Sequence, residues 1–100
     1  MKYLVEAHPS MEAGNRIDSK EGGPGPVFGY IAERFKPEAM YGNPTRRQIF
    51  IVVDLPTERD IAELMYVLTW FTDTEPTFSP VMDPRLYMDA IVQAQKAPKI

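Results

Sequence analysis

"RRQIFIVVDL", residues 46–55, is the segment on which the fold turns. Side chains along a strand alternate between two faces. Ile49, Ile51, Val53 and Leu55 therefore make one unbroken apolar row, and Gln48, Phe50, Val52 and Asp54 make a mixed one. Its β-branched residues suit a pleated, half-buried backbone. Such a strand is covered by helices on its apolar face and meets something partly polar on the other. Before it, "GNPT" (42–45) reads as a turn and "EAMYG" (38–42) as a short strand. After it, "PTERD" (56–60) opens a helix. Thr57 and Asp60 form its capping pair, and Ile61, Leu64, Met65, Leu68 and Phe71 follow at helical spacing.

The flanks complete the pattern. "KYLVEAH" (2–8) alternates Tyr3, Val5 and Ala7 against Leu4, Glu6 and His8, which predicts a first strand ended by Pro9. Ser10 can cap a short helix over "MEAGNRIDS" (11–19), which Gly14 and Asn15 weaken. In "EGGPGPVFGYIAERF" (21–35), Val27, Ile31 and Phe35 share one helical face, with Phe28 and Ala32 beside them. Pro26 suits the first helical position, and Pro37 stops the helix. "PTFSPVM" (76–82) reads as a last strand, which Pro76 and Pro80 confine to an edge. Asp83 caps, Pro84 begins and "RLYMDAIVQAQ" (85–95) continues a C-terminal helix, with "KAPKI" (96–100) as a loose tail.

The order β-α-β-β-α-β plus a terminal helix predicts a single α+β domain over residues 1–100. It is the ferredoxin-like arrangement, with a four-stranded antiparallel sheet and helices on one face. The other face would carry Leu4, Glu6, His8, Gln48, Phe50 and Val52. A bare sheet of that mixed character is a partner surface, and a two-fold homodimer packing sheet on sheet would cover it.

Composition narrows the function. The 100 residues are 44% hydrophobic and 25% charged, as in an ordinary globular protein. A net charge of -3 disfavours nucleic acid and anionic membrane surfaces as partners. With no cysteine, disulfides, thiolate chemistry and iron–sulfur clusters are excluded. One histidine, His8, makes a structural zinc site a poor fit. The polar N-terminal stretch does not resemble a signal peptide, no apolar run approaches a membrane span, and a cytoplasmic location is expected.

Taken together, "KYLVEAH", "GGPGPVFGYIAERFKPEAMYG", "PTRRQIFIVVDL" and "EPTFSPVM" resemble a family of small bacterial proteins of unknown function within the dimeric α+β barrel superfamily. The resemblance spans nearly the whole chain. It implies the fold and a homodimer but no particular reaction. The superfamily includes cofactor-free monooxygenases, muconolactone isomerase-like enzymes, polyketide cyclases, haem proteins and stress proteins. A strand-borne His8 matches a haem ligand poorly, so no cofactor is expected.

Several residues could carry chemistry. The glycine-rich loop lacks the features of a phosphate cradle. Pro24 and Pro26 remove backbone donors, no strand precedes it, and no Lys–Ser/Thr pair follows, so it reads as a hinge. Glu6 and His8 share a strand face, where a carboxylate can orient an imidazole as a general base. Paired or wetted interface groups are the plainer reading. Arg46 and Arg47 open the central strand, on opposite faces by alternation; one could meet Glu6 or a ligand carboxylate, with solvated strand-end charges as the plainer reading. Tyr30, Arg34, Tyr41, Arg47, Phe50 and Trp70 are the candidate ligand contacts, with core or dimer packing as the default for the aromatics.

Three functions compete. The leading one is a homodimer that holds a small organic, even aromatic, molecule in an apolar pocket without a cofactor. The rival is a cofactor-independent isomerase, cyclase or monooxygenase. There His8 would transfer the proton, Glu6 would orient it, and an arginine or tyrosine would steady oxyanion charge. The third is a structural module that docks through the open sheet face.

Overall fold

The computed structural model describes residues 1–99. Its elements are β1 (Lys2–Ala7), α1 (Met11–Asp18), α2 (Gly25–Phe35), β2 (Ala39–Asn43), β3 (Gln48–Asp54), α3 (Glu58–Thr72), β4 (Thr77–Pro80) and α4 (Pro84–Ala94). The four strands form one sheet in the order β2-β3-β1-β4. Every adjacent pair is antiparallel, with Val5 opposite Ile51 and Phe78, and Met40 opposite Ile51. The chain is thus α+β, compatible with a ferredoxin-like arrangement.

The two rows of β3 meet different fates. Ile51, Val53 and Leu55 are buried with Val5 and Ala7 of β1, Ile31 and Phe35 of α2, and Leu64 and Leu68 of α3. That cluster is the core, and it lies on one face of the sheet. On the other face Leu4, Glu6, Gln48, Phe50 and Val52 are half-exposed and His8 is exposed.

Local chemistry fixes the ends. The Ser10 and Thr57 hydroxyls accept from the backbone N–H groups of Ala13 and Asp60, starting α1 and α3. Gly22 and Gly23 take positive φ (80° and 51°), which turns the chain from α1 directly into α2. α2 begins at Gly25, one residue before the expected Pro26. β4 pairs with β1 alone and is an edge strand, as its prolines require. Residues 96–99 of the expected tail follow in turn and coil, and Ile100 lies outside the described residues.

One boundary corrects the sequence reading. Arg46 and Arg47 do not open β3; they lie in the turn 44–47. The Asn43 side chain causes this, accepting from the Thr45 N–H at 3.1 Å and the Thr45 hydroxyl at 2.7 Å. Arg47 then closes the turn in the left-handed region, at φ 53°. Strand alternation therefore does not govern where either arginine points.

Ile51 tests the core. Replacing it with alanine is expected to cost about 2–5 kcal/mol, read as a lower denaturation midpoint with unchanged slope in urea. A cost below about 1 kcal/mol would contradict this packing.

Candidate functional site

A cavity of about 530 Å³ opens at the end of the sheet where β1 finishes and β3 begins. Its walls come from separate elements: Ala7 and Ile49 of the sheet, Ile17 of α1, Phe28 of α2 and Phe71 of α3. Phe28 and Phe71 meet edge to face, with centroids 6.4 Å apart. α1 is held in place by the Ser10 N–H donating to the Thr72 carbonyl at 2.9 Å. The short helix thus roofs one side of the space, and the Gly22–Gly23 turn carries the chain to α2 on the other.

The charged part of the lining is Arg47 with Asp18. Arg47 Nε lies 3.3 Å from Asp18 Oδ2, and its Nη1 and Nη2 each donate to Asn15 Oδ1 at 3.2 Å. A guanidinium carries five N–H donors, so Asn15 engages only part of its capacity. Gly14 explains how Arg47 comes so close to α1. A Cβ there would clash with Arg47 Nη1. The two residues that weaken α1 by propensity are those that receive the arginine: Gly14 by leaving space and Asn15 by accepting its hydrogen bonds.

The Glu6–His8 pair lies elsewhere. Both border a smaller depression of about 150 Å³ with Gln48, Glu75 and Thr77. Ala7 and Gln48 border both hollows, which therefore adjoin at the sheet end. The His8 carbonyl accepts from the Thr74 hydroxyl, tying this strand end to the loop after α3.

The remaining candidates do not converge. Of the six expected ligand contacts, Arg47 alone lines the larger cavity. Tyr41 and Phe50 are cross-strand neighbours on the open sheet face. Trp70 is 74% exposed and lies tilted against Tyr66, with centroids 5.5 Å apart. Tyr30 and Arg34 bridge α2 to α3. The Tyr30 hydroxyl donates to Glu63 at 3.3 Å, and Arg34 Nη2 donates to Asp60 and Glu63, each at 3.0 Å. Hydrogen bonds from the Thr57 hydroxyl and then from Arg34 hold the Asp60 carboxyl below its ordinary range. Hydrogen bonds to Asp60 and Glu63 hold Arg34 above its ordinary range. This is a helix-to-helix clamp on the surface.

The sequence reading missed Gly14, Asn15, Asp18, Ile17, Phe28, Ile49 and Phe71 as one site. Its available signal was the Gly14–Asn15 pair inside a helix, two poor helix formers kept side by side. Among the described residues, no three His, Cys, Asp or Glu side chains converge as metal ligands. No helix among the described residues is long and apolar enough to cross a membrane. No protein-family model matches the chain, and no curated protein matches it.

Two expectations follow from these contacts. In Gly14→Ala, alanine favours the helix by up to about 1 kcal/mol while its methyl displaces the guanidinium. Thermal melts should show a midpoint no lower than wild type, and the Arg47 Nε–H resonance should shift. A drop of several degrees would mean that the backbone, not the arginine, has yielded. For Asp60, a depressed folded pKa gives stability that is present above the ordinary carboxylate range and lost as pH falls through the folded value. Asp60→Asn should therefore melt earlier than wild type at neutral pH, with the gap closing as pH falls below the ordinary carboxylate pKa of about 4. A gap independent of pH would contradict the clamp.

Proposed function

We propose that the chain is a homodimeric binding protein for a small, largely apolar organic molecule, held without a cofactor beside Arg47. One observation carries this reading: a cavity of about 530 Å³ with apolar walls and a positioned cation at its mouth. Small-molecule sites span roughly 300–1,000 Å³ and combine apolar lining with a few placed polar groups. The ligand's body would lie against Ile17, Phe28, Ile49 and Phe71. Its acceptor group, most simply a carboxylate, would take the Arg47 Nη donors that Asn15 and Asp18 leave free.

The homodimer belongs to the same proposal, with the half-exposed face of Leu4, Phe50 and Val52 as the seam. So do membership of the dimeric α+β barrel superfamily, a bacterial source and a cytoplasmic location. The open-faced α+β sheet is compatible with the superfamily. A second reading, a cofactor-free enzyme, draws on the two hollows sharing Ala7 and Gln48. A ligand seated by Arg47 and long enough to cross that border would bring a reacting carbon toward His8, with Glu6 beside it.

Benzoate and 1-naphthoate, titrated into the protein and followed by NMR, test the binding. The shifts should centre on Ile17, Phe28, Ile49 and Phe71. Gly42→Trp should plug the cavity, because a Cβ at Gly42 meets nothing within 4 Å. Affinity should then fall at least tenfold, about 1.4 kcal/mol, with the fold intact. Arg47→Ala should cost about 1.5–3 kcal/mol of affinity for the acids and little for naphthalene-1-methanol. Unchanged affinity in Gly42→Trp would sink the proposal.

A further inference from the structure

α4 is a capped helix with nothing beneath it. The Asp83 carboxylate accepts from the Arg85 N–H at 2.8 Å, and Pro84 begins the first turn. Yet none of its 11 residues is buried. Its sides are sharply unlike. Tyr87, Met88, Ile91 and Val92 make one apolar stripe at helical spacing, while Arg85, Asp89 and Gln93 repeat every fourth position on another side. The stripe residues are 38–60% exposed. A helix of this length falls short of the ~12–15 residues that are marginal alone in water, so its amphipathic face has to be buried to hold it. The last backbone bond from this segment to the sheet runs from the Val81 N–H to the Lys2 carbonyl, 3.0 Å. Beyond it the chain projects, giving overall extents of 57 × 28 × 22 Å.

The same chain carries a second uncovered apolar surface. Leu4, Phe50 and Val52, with Tyr41 at 70% exposure, lie together on the open face of the sheet. The α4 stripe contains no charge, and the sheet strip is bordered by Glu6, directly opposite Phe50, and by the Lys2–Asp54 pair at its end, so a stripe laid along Leu4 and Val52 has to leave those charges in water. Area selects the occupant. A stable association takes roughly 20–30 residues a side, and the outward positions of four short strands supply about a dozen. The sheet face alone is too small; the apolar residues of α4 bring it toward that range. A second copy supplies both halves at once and closes the exchange with two-fold symmetry.

We infer that α4 is an exchanged arm, whose Tyr87–Met88–Ile91–Val92 stripe lies on the open sheet face of a second copy of this chain. The inference rests on the homodimer proposed above. It makes the arm, as well as the sheet, part of the seam.

The chain has no cysteine, so placed thiols report contact directly. Full-length Val92→Cys is co-refolded with Leu4→Cys or with Tyr41→Cys, oxidised at micromolar concentration, and resolved on a non-reducing gel beside light scattering of the wild type. Glu33→Cys, on the exposed side of α2, serves as the collision control. A dimer by scattering, with a mixed disulfide several-fold above control for Leu4 or Tyr41, supports the arm. A dimer whose mixed disulfides do not exceed control overturns the arm and leaves the homodimer standing. A monomer overturns both. An intrachain disulfide in the double variant Leu4→Cys/Val92→Cys, with no interchain product, places α4 on its own sheet and also overturns the exchange.

Discussion

The two-residue period of β3 governs this molecule. Ile51, Val53 and Leu55 must all face one way, and α2 and α3 cover that side. Their neighbours Phe50 and Val52 must then face the other way, where they stay half-exposed. A one-residue slip of register would exchange the rows and expose the core, so the division is strongly fixed. The covered face supplies the fold's stability, and the other face leaves apolar side chains half-exposed.

The cavity arises where that covering stops short. α1 is only eight residues long and packs at the end of the sheet, against the last turn of α3. Phe28 and Phe71 meet edge to face and leave open space between themselves, Ile17 and Ile49. Apolar walls alone would give an adaptable hole. Arg47 gives it direction, because the guanidinium is set over Gly14 and hydrogen-bonded to Asn15. Its left-handed backbone, at φ 53°, is a conformation with a cost for a residue bearing a Cβ. Helix propensity at α1 and backbone ease at Arg47 are both set aside at this one place, the kind of local compromise on which the proposed binding site rests.

Much of this was legible in the sequence, for identifiable reasons. The apolar row of β3, the capping hydroxyls of Ser10 and Thr57, the Asp83–Pro84 helix start and the proline-limited edge strand are local signals, each acting over a few residues. Arg46 and Arg47 were misplaced because the turn that holds them is made by the Asn43 side chain, while the residues themselves fit a strand as readily as a turn. The cavity was illegible because Ala7, Ile17, Phe28, Ile49 and Phe71 come from five elements. No spacing in the chain records their meeting. The tyrosines and Trp70 drew attention by chemical type, but the structure places them on separate surfaces. The isolation of α4 was equally hidden, since its stripe has the pattern of any helix packed on its own domain.

The chain presents two apolar surfaces: the cavity beside Arg47 and the open sheet face. Their methyl groups differ, Ile17 and Ile49 in the first, Leu4 and Val52 in the second. Isotope-filtered nuclear Overhauser spectroscopy on the labelled protein with unlabelled 1-naphthoate separates them in one experiment. The account predicts cross-peaks from the naphthyl protons to the Ile17 and Ile49 methyls. Cross-peaks confined to the Leu4 and Val52 methyls would contradict it.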